Sequence, residues 1–380
     1  MIEALYCHIP FCHRICPFCA FAVHGNQQRL HGPYLEALKA EIALRARRYR
    51  AALAPIRALY VGGGTPSTLS LPEVADLLGC LRRHFDFAGD AETAFELNPE
   101  DATPAYVEGL AALGINRFSL GLQSLDDATL RALGRNNGAE QGRLAVDALR
   151  RHGAANFNLD LMFGAPRRPA SAFRDDVQTA SAFRAPHLSL YGLDVEPGTL
   201  FARNRAVCDW AATHKDRQAR LYLWAADYLK ARGYRHYEVS NFCKDGRAGR
   251  QNLIVWEGGN YLGFGLGAHS HVDGSRFHNE RHLRAYLRRV SAGRPPTAFE
   301  ERLSPVQRAN EMLLLALRRD TGLHIAAWEE QYGGRWDEHR AALAARLVSE
   351  GKARLQDGRF ALTTAGFLLA DEITGALALP

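Results

Sequence analysis

The sequence predicts an α/β protein: a partial (β/α)6 barrel followed by a small C-terminal helical, winged-helix-like domain. Three observations carry that reading. Strand-like apolar runs alternate with amphipathic helical segments through the first two hundred residues. The stretch Gly293-Arg-Pro-Pro-Thr297 then breaks the pattern and reads as a linker. Beyond it helices dominate, and one short hairpin follows.

The strand candidates are Ala4–Ile9, Ile56–Gly62, Thr93–Leu97, Ile115–Leu120, Asn156–Met162 and His187–Tyr191. Between them, Leu35, Leu38 and Ile42 repeat at helical spacing, and Leu221, Trp224, Ala225, Tyr228 and Leu229 do so later. Strands joined through helices run parallel with right-handed crossovers. Six such units cannot close an eight-stranded barrel, so an open or partial barrel is expected, with function at the carboxyl ends of its strands. Past the linker, helices are expected around Pro305–Arg318, Ile325–Tyr332 and Asp337–Glu350. A hairpin turning at Asp357-Gly358 joins Ala353–Leu355 to Arg359–Leu362, and a last helix starts near Thr364. The expected division is 1–290 for the barrel, 291–299 for the linker and 300–380 for the C-terminal domain.

Composition narrows the class. With 380 residues, 47% hydrophobic and 23% charged, the chain can bury a large core and is not a disordered type. No apolar run is long enough for a transmembrane segment, and no basic-then-apolar leader follows Met1, so a cytoplasmic location is expected. The net charge is +6, but only five of the 47 basic residues are lysine, an arginine bias that weakens any polyanion reading. A nucleic-acid-modifying role has that charge as its only support. Residues 300–380 hold ten basic and twelve acidic side chains, leaving −2. That sign argues for a packing or lid domain and for no DNA partner.

Seven cysteines are present, an odd total that does not suit a disulfide framework. Cys80 falls on the expected helix after the second strand and reads as a small buried residue, and Cys7 takes no role. Cys12, Cys16 and Cys19 fall together in Cys12-His-Arg-Ile-Cys16-Pro-Phe-Cys19, just past the first strand. Structural zinc wants four ligands in two spaced pairs, and no second pair lies nearby. An iron–sulfur cubane normally takes four cysteines. Three would leave one iron open to an exogenous ligand.

This C-x3-C-x2-C run resembles the signature of radical S-adenosylmethionine (SAM) proteins, in which the amino and carboxylate groups of SAM chelate the fourth iron. Tyr6-Cys-His8-Ile-Pro10-Phe-Cys12 resembles the opening of the coproporphyrinogen-oxidase-like branch, HemN and HemW. Gly62-Gly63-Gly64-Thr65-Pro66 resembles its "GGGTP" loop, where the backbone approaches the ligand. Glu96, Gln123, Arg135 and Asp160 match further SAM-contacting positions, all in or just beyond a strand. The segments Tyr191–Thr199, Gly263–Ser270 and Leu303 onward are similar as well, so the likeness spans nearly the whole chain. It implies a 4Fe–4S cluster on Cys12, Cys16 and Cys19. It also implies SAM contacts from Tyr6, Phe18, Gly63, Gly64, Thr65, Glu96, Gln123, Arg135 and Asp160. A carboxylate suits ribose hydroxyls, and an arginine suits the SAM carboxylate.

Within the branch, Phe21 stands where HemN carries a further cysteine, and the motif starts by residue 6 without a long extension. Both features favour the heme-chaperone side, HemW, over a coproporphyrinogen III dehydrogenase. The implied partners are SAM, heme or another tetrapyrrole, a heme-accepting client protein, and an electron donor such as flavodoxin or ferredoxin. The H-N-x-x-Y-W heme motif reads here Gln251-Asn252-Leu-Ile-Val255-Trp256, so its histidine and tyrosine are replaced. Glutamine is a poor axial ligand for heme iron, which leaves His236, Cys243, His269 and His271 as candidates. Asn137 is a smaller departure, where relatives often carry histidine. The alternative reading is a radical SAM enzyme that cleaves SAM to a 5′-deoxyadenosyl radical and acts on a tetrapyrrole or as a HemN-like methyltransferase. No catalytic residue is assigned.

Overall fold

The computed structural model describes all 380 residues. The six expected strands form as β1 (Ile2–Ile9), β2 (Leu53–Gly63), β3 (Phe87–Leu97), β4 (Arg117–Gln123), β5 (Phe157–Phe163) and β6 (His187–Gly192). They pair in chain order, each parallel to the next. Helices α1 (His31–Arg48), α2 (Leu71–His84), α3 (Pro104–Ala112), α4 (Asp127–Ala132), α5 (Ala139–Arg151) and α6 (Ala170–Ala182) fill the crossovers. Ser70 and Glu73 cap α2 reciprocally, which satisfies two of the free amides at its start.

The sheet runs further than the six units. After α7 (Arg205–Thr213) and α8 (Lys215–Lys230), strands β7 (Arg235–Glu238) and β8 (Asn241–Cys243) extend it antiparallel beyond β6. Beyond α9 (Arg250–Trp256), β9 (Asn260–Phe264) lies parallel to β1 on its free side. This seventh parallel strand was not expected, because its run is short and follows two glycines. Strands β10 (His269–Val272), β11 (Ser275–Asn279) and β12 (Thr297–Arg302) continue the edge antiparallel, with α10 (Leu283–Ser291) between the last two. The order β12-β11-β10-β9-β1-β2-β3-β4-β5-β6-β8-β7 does not close on itself. The sheet reaches to Arg302, so the segment after Pro296 is an edge strand.

The parallel strands alternate by face. Leu5, Cys7 and Ile9, with Phe118, Leu120, Leu159, Leu161, Leu188 and Leu190, point to the helices and join one buried core. The intervening positions are polar, including Tyr6, Tyr60, Glu96, Ser119, Asn158, Asp160, His187 and Ser189. A sheet covered on both faces by apolar layers would show near-continuous apolar runs. Polar alternation instead marks a lumen.

In the C-terminal part, Leu323–His324, Ala353–Gln356 and Arg359–Leu362 make a three-stranded antiparallel sheet against helices Pro305–Ala316, Ile325–Tyr332 and Glu338–Ser349. Asp357 and Gly358 both take positive φ, 51° and 70°, as a two-residue hairpin turn requires. This is the winged-helix-like arrangement, with one short strand added ahead of the hairpin.

Candidate cluster and cofactor site

The cysteine loop leaves β1 at its carboxyl end. Backbone bonds hold its entry: Gly64 donates to Ile9 O at 2.8 Å, Thr65 to Phe11 O at 2.7 Å and Asn26 to Cys12 O at 3.0 Å. Cys19 N donates to Cys16 O at 3.0 Å, closing a turn around Pro17 and Phe18. Cys12 is buried, and Cys16 and Cys19 are half-buried. Burial pushes the Cys12 thiol up to about 11, against a lowering hydrogen bond from Thr65. Binding to cationic iron reverses that preference.

Each glycine of the Gly62–Gly64 run leaves a space that a side chain would fill. A Cβ at Gly62 would fall 2.8 Å from Glu96 Oε1. One at Gly63, whose φ is +120°, would fall 2.6 Å from His8 Nδ1, and one at Gly64 would fall 2.9 Å from Cys12 Sγ. The backbone there must lie directly against the cysteine loop.

A cavity of about 440 Å³ opens under the loop. Cys12, Cys16 and Cys19 line it, as do Phe18, Gly63, Gly64, Thr65, Glu96, Gln123, Arg135 and Asp160. Tyr6 is not on its wall. That residue packs behind, its ring 6.2 Å from Tyr60 and its hydroxyl 3.0 Å from His8 Nδ1. No three His, Cys, Asp or Glu side chains form a group able to hold one metal ion. Three thiols on one cavity wall are the donor set that an iron–sulfur cluster with one open iron requires.

Glu96 accepts from Tyr60 Oη at 2.8 Å and from Gly63 N at 3.0 Å. Burial, with the Asp160 charge added, raises its carboxyl to about 7 despite the Tyr60 hydrogen bond. Asp160 is raised too, by burial, and accepts from Asn158 Nδ2 at 2.7 Å and Ser119 Oγ at 3.3 Å. Arg135 does not leave a strand end directly, as its match had implied. It follows α4, and Gly134 makes the approach possible, since a Cβ there would meet Pro17 Cδ at 2.4 Å. Its guanidinium donates to Gly121 O at 3.0 Å, to Asn98 Oδ1, and to Asn137 Oδ1 at 3.1 Å. Asn137 thus orients Arg135.

The sequence reading missed the rest of the lumen. Asn98, Ser119, Asn158, His187, Ser189 and Tyr191 also line the cavity. The signal was present: Arg117-x-Ser119-x-Gly121-x-Gln123, Asn158-x-Asp160 and His187-x-Ser189-x-Tyr191 place polar residues at every second position. At the amino ends of the strands, α9 closes the lumen. Arg250 N donates to Glu92 Oε1 at 2.8 Å, and Gln251 and Asn252 reach the cavity wall. Gln251 is buried, and its Oε1 has no partner within the chain.

The other candidate heme ligands are placed unequally. His236 stacks on Phe242 at 4.1 Å and bonds Tyr222 and Thr364. Cys243 is buried in β8. His271 is half-buried, with Nδ1 3.2 Å from Gly259 O. His269 alone of the four is exposed.

An open parallel sheet whose first loop carries three cysteines over a glycine-lined cavity defines a radical SAM protein. The family model "Radical SAM superfamily" matches residues 6–180, and "HemN C-terminal domain" matches 303–369. A curated relative named heme chaperone HemW, from Mycobacterium tuberculosis, is 34% identical over 98% of this chain and 94% of its own length. HemW of Bacillus subtilis is 29% identical over 99% of both chains. The structure of Escherichia coli HemN, a coproporphyrinogen III oxidase, superposes with a TM-score of 0.85 at 23% identity, covering 99% of this chain and 90% of that one. The chain belongs to the HemW family within the radical SAM superfamily, whose members carry a 4Fe–4S cluster and SAM. No helix is long and apolar enough to cross a membrane.

Proposed function

We propose that the chain is a heme chaperone that holds a 4Fe–4S cluster on Cys12, Cys16 and Cys19 and binds SAM beside it. In this reading the sheet domain, which runs on past the expected linker 291–299 to Arg302, carries the cluster and SAM, and the residues after it form the C-terminal domain. The observation that carries the proposal is the single cavity that gathers the three cysteines with eight of the nine matched SAM positions. Bound there, the cluster offers an iron that can be ligated by SAM and a store for one electron. The chain's own residues orient and shield. Arg135 pairs with a carboxylate, Glu96 accepts from hydroxyls, and Gly63 and Gly64 let backbone atoms approach an amino group. Heme for delivery to a client protein, an electron donor such as flavodoxin or ferredoxin, and a cytoplasmic location complete the proposal.

The test is anaerobic reconstitution followed by titration with hemin. A saturable Soret shift is expected, and none would remove the heme role. One observation favours a second reading, reductive SAM cleavage on a bound substrate. The lumen continues past Asp160 to Gln251, whose Oε1 lacks a partner. Dithionite and SAM would then yield 5′-deoxyadenosine, and its absence with an intact cluster would end that reading.

A further inference from the structure

The heme motif has lost its histidine to a buried glutamine, yet the far edge of the sheet carries imidazoles in an ordered row. His269 on β10 lies directly opposite His278 on β11, and His278 directly opposite Phe299 on β12. Opposed residues on one face of neighbouring antiparallel strands stand side by side. The rings are spaced 5.1 Å between His269 and His278, tilted 37°, and 5.6 Å between His278 and Phe299, tilted 22°. His269 and Phe299 are exposed, and Phe299 is 48% accessible.

The middle ring is prepared for a metal. His278 Nδ1 lies 3.1 Å from Asn279 O, so in the neutral ring Nδ1–H donates and Nε2 keeps its lone pair. That second hydrogen bond, from the other ring nitrogen to a carbonyl, is the support that ligating histidines generally have. The backbone beneath is fixed, because Asn279 is fully buried and bonded to Glu41 and Gly265.

The charge around the row selects among ligands. Arg281 is exposed, donates to Ala20 O at 2.9 Å and makes no ion pair. A Cβ at Gly267 would lie 3.5 Å from Arg281 Cγ and 3.2 Å from Ala22 Cβ, so the row adjoins the cysteine loop. Arg276 is held by Glu301 and Glu311. Burial of its inner edge, then His278, Arg281 and Arg276, lower the pKa of His269. An unpaired guanidinium disfavours a bare divalent cation and favours an iron macrocycle that carries its own carboxylates.

We propose that this row is the heme site: His278 Nε2 ligates the iron, the edges of His269 and Phe299 support the macrocycle, and Arg281 pairs with a propionate. The proposal rests on the heme reading above. It places the cargo on the surface beside the cluster loop and outside the lumen.

The experiment titrates hemin into the full-length chain carrying its reconstituted cluster, and into His278→Gln, His269→Gln and Arg281→Ala. The Soret difference spectrum gives affinity, and electron paramagnetic resonance of the ferric heme identifies the axial ligand. Wild type should show imidazole ligation. His278→Gln should bind ~10-fold or more weakly and lose the imidazole signature, which added imidazole restores. Arg281→Ala should weaken binding with the signature kept. Equal binding with an unchanged signature in His278→Gln would overturn this site and leave the heme reading standing. No binding by wild type would overturn both. Cluster iron retained in each variant reports that the adjoining loop is folded. If His278→Gln loses it, His278→Asn tests the same nitrogen.

Discussion

The guanidinium of Arg135 lies 3.7 Å from the sulfur of Cys16 while it donates to Gly121 O at 3.0 Å. One side chain therefore joins the end of β4 to the middle of the cysteine loop. Its charge faces a sulfur that is anionic once bound to iron, and the residue lines the cavity.

Arg135→Leu should leave the fold intact, keep most of the cluster and weaken SAM binding. Losing a charge-assisted pair costs about 1.5–3 kcal/mol, roughly 10- to 100-fold in affinity. Equilibrium binding of SAM to the reconstituted protein measures this. Unchanged affinity would remove Arg135 from the SAM site.

Gly134→Ala should act on the same loop through sterics. Gly134 holds φ at +73°, and its added Cβ would fall 2.4 Å from Pro17 Cδ. The strain is about 1–3 kcal/mol, and the loop must shift. Iron content after reconstitution should fall while the far-ultraviolet circular dichroism stays that of wild type. Full iron content would show that the loop tolerates the change.

Glu96 gives a pH dependence of defined sign. Its carboxyl titrates near 4.5 in the unfolded chain and about 7 when buried. The folded state therefore binds the proton more tightly, and the stability this adds is full below pH 4.5 and lost as pH rises through 7. The difference is on the order of 3 kcal/mol. Glu96→Gln, measured without SAM, should flatten the fall in melting temperature between pH 5 and pH 7.5. An unaltered slope would exclude Glu96 as its source. Asp160, Asp176 and Glu238, also raised by burial, act in the same direction, and His8 and His236, lowered by burial, act in the opposite one.

Glu41 ties α1 to the extra strands. It accepts from Arg45 Nε at 2.9 Å, Asn279 Nδ2 at 2.7 Å, Tyr286 Oη at 2.8 Å and Gly265 N at 2.8 Å, with both charges buried. Glu41→Ala strands the Arg45 guanidinium and should cost about 3–5 kcal/mol, read as a lowered melting temperature. Glu41→Ala with Arg45→Met should recover part of that loss, because no charge is then left unpaired. A double variant no better than the single would contradict the pairing.

The residues legible in the sequence were those whose function is local. Cys12, Cys16 and Cys19 lie within eight positions just past β1, so their spacing groups them, and Gly62–Gly64 is a contiguous run at the end of β2 that the family likeness picks out. The turn at Asp357-Gly358 was legible for the same reason. What escaped depends on tertiary packing. Arg135 was named from the family likeness, but its approach from beyond α4 was not foreseen, nor that α9 turns the altered heme motif into a plug across the lumen. The row His269, His278 and Phe299 forms only because three antiparallel strands align in register. Nothing in the separation of those residues along the chain announces it. The lumen itself was legible but unread, in the alternate polar residues of β4, β5 and β6.

The account turns on three cysteines holding one cluster in this cavity, and replacing the middle one tests it most directly. Anaerobically reconstituted Cys16→Ala should fold as wild type does and lack the brown 4Fe–4S absorbance, with iron and sulfide well below four per chain. A Cys16→Ala protein with a normal cluster spectrum and full iron would contradict the assignment of the site.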